Sequence, residues 1–148
     1  MLPSEGMSKR CRVVPLVAIT LSYALLAACV ATPGDVAQLD ADHALDQRST
    51  HGLVEATVAL DGPQIARGPN DFSIALRAAQ GSSSPLLTSV DASMAVHGHH
   101  VSASSIVNDS GTFRAAGLDL FMSGRWQVAL GVELEDASDL VEFALDVP

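Results

Sequence analysis

From Leu53 onward the apolar side chains recur at every second position. A period of two suits a strand with one buried face and fits no helix. Val54, Ala56, Val58 and Leu60 alternate with Glu55, Thr57 and Ala59, and Asp61-Gly62-Pro63 ends the run. After a predicted turn at Gly68-Pro69-Asn70-Asp71 come Phe72, Ile74, Leu76 and Ala78. Thr88, Val90, Ala92, Met94 and Val96 form a third alternating face, which His97-Gly98-His99-His100 interrupts. Val101 to Val107 reads as a short edge strand, and Phe113 to Leu118 as the next strand. Trp126, Val128, Leu130, Val132 and Leu134 make the longest alternating run, and Val141, Phe143, Leu145 and Val147 close the chain. Short, evenly spaced strands with no helical run between them predict an all-β fold. The expected architecture is an immunoglobulin-like antiparallel β-sandwich of six to seven strands, with the Trp126 strand in the middle of its core.

The residues before this domain follow a different order. A basic stretch, Ser8-Lys9-Arg10-Cys11-Arg12, precedes an apolar run from Val13 to Leu26, and Leu26-Ala27-Ala28-Cys29 follows. The run is shorter than the ~20 apolar residues of a spanning helix and has the length of a signal-peptide core. The tetrapeptide resembles the bacterial lipobox, in which small residues precede an obligatory cysteine. That resemblance implies cleavage before Cys29, thioether diacylation of its sulfur and usually a third acyl chain on the new amine. Several chains together anchor stably, whereas one is marginal. An ordinary secretory signal with an incidental cysteine is the competing reading. The expected organisation is a lipoprotein signal peptide over residues 1–28, a lipidated Cys29 and flexible tether over 29–52, and the sandwich over 53–148. The tether assignment rests on residues 30–52, which show no sustained apolar period and are rich in Asp, Ala and Gln.

Charge and cysteine count narrow the function. The chain is formally −9, and losing Lys9, Arg10, Arg12 and Glu5 with the leader takes it to −11. No lysine remains beyond that point, and the only basic side chains besides histidine are Arg48, Arg67, Arg77, Arg114 and Arg125. Such a surface repels phosphate backbones, so no nucleic-acid partner is expected. It attracts cations. Of the two cysteines, Cys11 lies in the leader and Cys29 carries the anchor, so the domain has neither a disulfide nor a cysteine nucleophile.

His97, His99 and His100 lie within four residues, three positions after Met94. Imidazole ligates Cu, Zn and Ni, and a thioether favours copper. On an extended strand His97 and His99 share a side, and Gly98 permits a bend that brings His100 round. The candidate metal ligands are therefore His97, His99, His100 and Met94, with copper as the candidate cofactor. A polar loop with solvated histidines at the rim of a sandwich is the alternative. Met122 near Trp126 reads as core filler, with a ligand role as the alternative. His43 and His51 fall in the tether, with nothing in their spacing to give them a role. Glu133 and Glu135 read as a solvated edge. No Gly-x-Ser-x-Gly elbow, phosphate-cradling glycine loop or His-Glu-x-x-His motif is present, so no enzymatic activity is expected.

Four segments, Gly68-Pro69-Asn70, Met94-Ala95-Val96-His97-Gly98-His99, Gly111-Thr112-Phe113 and Leu120-Phe121-Met122-Ser123-Gly124-Arg125-Trp126, together resemble the YtkA-like domain, related to FixH. The last segment is similar to that family's apolar-Met-x-Gly-x-Trp pattern. The resemblance spans Gly68 to Val147. It implies an immunoglobulin-like sandwich outside the cytoplasmic membrane, with some relatives beside copper handling or oxidase assembly. The chain departs from the family where many members carry a Met-rich segment. Here imidazoles dominate, which weakens the copper(I) character, and a lipid anchor replaces the transmembrane helix of FixH-type members. The sequence thus leads to a lipid-anchored envelope protein facing the periplasm or cell exterior, binding a metal. The alternative is a structural or interaction module contacting an envelope protein.

Overall fold

A computed structural model of the chain describes residues 36–81 and 83–148. The leader and Cys29 lie outside the described residues. The protein is all-β: β1 (Leu45–Arg48), β2 (Val54–Leu60), β3 (Gly68–Ala78), β4 (Leu86–Met94), β5 (His99–Ser102), β6 (Ser105–Asp109), β7 (Thr112–Leu120), β8 (Gly124–Glu133) and β9 (Ser138–Val147). One sheet has the order β1-β2-β3-β7-β6 and the other β5-β4-β8-β9. Every strand pair within them is antiparallel. Taking β2 as the first strand gives an immunoglobulin sandwich, with four strands in one sheet and a short edge strand, β5, beside the central three of the other. No helix among the described residues is long and apolar enough to cross a membrane.

The inward faces follow the period of two. Val54, Ala56 and Val58 of β2, Phe72 and Ile74 of β3, and Trp126, Val128, Leu130 and Val132 of β8 are all buried. Trp126 is fully enclosed, and β8 lies between β4 and β9 in the middle of its sheet.

Among the described residues nine strands replace the expected six or seven, for two reasons. The edge strand read at Val101–Val107 is two strands, because the chain changes sheets within it. Ala103 N–H donates to Val90 O, and the next residue, Ser104, donates to Ala116 O in the opposite sheet. The other addition, β1, falls inside the segment read as tether. Residues 36–52 are not loosely held. Leu39 is buried, its N–H donates to Ala144 O, and Ala144 N–H returns a bond to Ala37 O. This short parallel bridge lies against β9, the last strand of its sheet.

Two local expectations are also corrected. Residues 68–71 begin β3 rather than forming a turn, which makes β3 the longest strand at 11 residues. The turn chemistry seen there serves a bulge: Asp71 opposes both Ala116 and Gly117, and its carboxylate accepts Gly117 N–H at 2.9 Å. Gly117 has φ +68°, and a Cβ there would sit 2.3 Å from Ser104 Oγ, so glycine is required. On β4, the register shifts between Leu87 and Ser89, which leaves Thr88 exposed. Val96 does not extend the β4 face; it is exposed in the following turn.

Candidate functional site

β4 and β5 form a hairpin closed by residues 95–98. Met94 O accepts N–H from His97 at 3.1 Å and from Gly98 at 2.9 Å. Gly98 takes φ +66°, the left-handed conformation such a turn needs. His97 therefore lies in the turn and not on a strand, so strand alternation does not explain its relation to His99. The tight turn does: it folds His97 back until the two ring centroids are 6.1 Å apart. Two imidazoles sharing one ion at about 2.0–2.1 Å per nitrogen have centroids roughly 5 Å apart. Rotation of the exposed His97 covers that difference.

His99 is the register partner of Met94, so both face the same side of the sheet. Its ring meets Phe121 edge-on at 5.0 Å, and Phe121 meets Trp126 edge-on at 5.6 Å. Such contacts contribute about 0.5–1.5 kcal/mol each beyond area burial. Phe121 lies just after β7, and Trp126 Nε1 donates to Met122 O at 3.0 Å, which fixes the connection into β8. Met122 is half-buried and packs against the core, as a filler does. Met94 is buried, with its terminal methyl 3.5 Å from the position of a Cβ on Gly124.

His100 is separated from this corner. It pairs with Ser93 on the outer face, where its Nε2 is 3.7 Å from Asp91 Oδ1. The structure thus brings His97, His99 and Met94 to one corner and turns His100 away. Among the described residues no three His, Cys, Asp or Glu side chains converge as a preassembled ligand set.

A second polar arrangement escaped the sequence reading. Asp139, on β9, is enclosed, and its carboxylate accepts N–H from Leu140 at 2.8 Å, His51 at 3.0 Å and Leu53 at 3.2 Å. His51 Nδ1 is 3.0 Å from the same Oδ1. Burial alone would raise the Asp139 carboxyl, but hydrogen bonds from Ser49 and from the backbone of His51, Leu140 and Leu53 outweigh it. They hold the group well below the usual carboxylate range. Beside it runs an open groove of about 670 Å³, lined by residues of the β1–β2 turn and the β8–β9 turn.

No family model, curated protein or solved structure matches the chain.

Proposed function

We propose that the protein is a lipid-anchored extracytoplasmic protein, akin to the YtkA-like domain, whose sandwich binds a copper ion at the β4–β5 hairpin. His97 and His99 are the principal ligands. Met94, directly across from His99, contributes the thioether that favours copper over zinc. His100 takes no part in this site. The single observation that carries the reading is the pair of imidazoles at 6.1 Å, His97 on an exposed turn and His99 on β5 across from a buried methionine. An acidic chain adds long-range attraction for a cation. The role of such a protein is metal handling in the envelope, without catalysis.

Trp126 provides the test, because it is the sole tryptophan and two ring contacts link it to His99. Residues 30–148, without a polyhistidine tag, are titrated with Cu(II), and with Cu(I) against a competing chelator. Tryptophan emission should fall and saturate near one equivalent of copper. Replacing His97 and His99 by Ala should weaken binding at least tenfold with an unchanged circular dichroism spectrum. Acidification should also weaken it, because protons compete for the ligand nitrogens. Equal affinity in wild type and the double variant would refute the site.

An interaction module is the second reading, and one observation favours it. Val96 is 87% exposed and Phe121 43% exposed, so the same corner shows apolar surface. Copper-independent retention of one envelope protein, lost on Val96→Ser with Phe121→Ser, would support that reading.

A further inference from the structure

Asp139 and His51 stand at the other end of the four-stranded sheet from the hairpin. Asp139 pairs with Val132 at one end of β8, whereas Gly124 at the opposite end faces Met94. β4 spans the same distance, roughly 25 Å at ~3.3 Å per residue. Whatever happens at His51 is therefore separate from His97 and His99.

The Asp139 carboxylate is surrounded by N–H groups and has no exposed side-chain surface. A carboxylate in that setting only accepts. The His51 nitrogen facing it, Nδ1, must then carry the hydrogen, which leaves the neutral ring with its lone pair on Nε2. The rest of the side chain is 72% exposed. Anchoring the turn needs only the backbone N–H bonds; fixing the ring as well presets one nitrogen as a donor to something outside. Metal-ligating histidines show this arrangement, with the second ring N–H held by a carboxylate.

The groove also carries two carboxylates, with the Arg48 side chain in its lining and no preassembled ligand set among the described residues. His51 lines it together with Glu135 and Asp136, which project from the β8–β9 turn. That turn is closed by Leu134 N–H donating to Ala137 O at 2.7 Å, so its two acids are carried on a short, exposed loop. One imidazole with carboxylate oxygens suits a transition-metal dication better than Mg²⁺ or Ca²⁺, which prefer all-oxygen sites. We infer that His51 anchors a second cation site in this groove, binding a divalent transition metal through Nε2 with Glu135 and Asp136 turning in and water completing the shell.

The test uses the full-length chain in detergent micelles, without a polyhistidine tag and with His97→Ala and His99→Ala removing the hairpin site. Zn(II) alone is the probe. Ring ¹⁵N correlations should show His51 protonated at Nδ1 and bare at Nε2, and Zn(II) should shift the Nε2 signal. His51→Ala should weaken Zn(II) binding at least tenfold. Glu135→Gln with Asp136→Asn, both exposed and so harmless to the fold, should weaken it several-fold. Asp139→Asn should cost 10–100-fold in a sample whose circular dichroism is native. An Nε2-protonated ring, or unchanged Zn(II) affinity in the His51→Ala chain, would overturn the inference.

Discussion

At neutral pH the enclosed Asp139 carboxylate and the N–H groups around it hold the β1–β2 turn against β9. Hydrogen bonds to a charged group contribute about 1.5–3 kcal/mol each, so Asp139→Asn should cost on the order of 2–3 kcal/mol. The pH dependence follows from the lowered pKa. A carboxyl that ionises more readily folded than unfolded contributes stability that is fully present above its unfolded pKa, near ~3.9. That stability is lost as pH falls through the folded value. Urea midpoints of wild type and Asp139→Asn should therefore differ most at pH 5–7 and converge as pH is lowered below about 4. A gap that stays constant down to pH 2 would rule out this role. The sequence could not reveal the pair, because His51 and Asp139 are separated by 88 positions and neither sits in a motif. Trp126 was legible: a lone large aromatic on an alternating run has one place to go, and it is enclosed as expected. His97 and His99 lie with ring centroids 6.1 Å apart, brought there by a turn that the period of two does not predict.

Among the strands, β9 shows how an edge is managed. It is the last strand of its sheet, and an uncovered edge invites pairing with another chain. Here the segment before β1 and the β1–β2 turn cover it. Ala37 and Leu39 bond to Ala144, Thr50 N–H donates to Leu140 O, and Gln38 Nε2 donates to Asp146. Leu39 drives its side chain into the core at 1% exposure. Leu39→Ala should therefore destabilise the protein by about 2–4 kcal/mol and speed exchange of the Ala144 amide. A loss below about 0.5 kcal/mol would mean that the segment is only loosely held. The sequence hid this element because Leu39 stands alone, without the period that marks a face. β1 itself reads Leu-Asp-Gln-Arg, one apolar residue in four. The sheet change between β5 and β6 was hidden for a similar reason. Its signal is a glycine at position 117 on a different strand, where the Ser104 side chain approaches too closely for a Cβ.

At the scale of the whole molecule, two antiparallel sheets close around one core, and the alternation that predicts them is spread over most of the chain from Leu53 onward. Polar chemistry lies at the two ends of the four-stranded sheet, where strands give way to turns and side chains escape the alternation. The acidic balance bears on how such a domain stays at a membrane. Beyond residue 29 the chain has five arginines against sixteen acids, so its net charge opposes the negative surface of anionic lipids. In the proposed lipoprotein retention rests on acyl chains, and only Cys29 can carry them, since Cys11 falls in the proposed leader. Cys29→Ser should abolish incorporation of labelled palmitate and move the folded domain from the membrane pellet to an uncleaved or soluble form. Cys11→Ser should leave labelling and fractionation unchanged. Full acylation of the Cys29→Ser chain, or its retention in the pellet as a cleaved species at wild-type level, would show that the lipid is attached elsewhere or that a partner protein holds the domain in place.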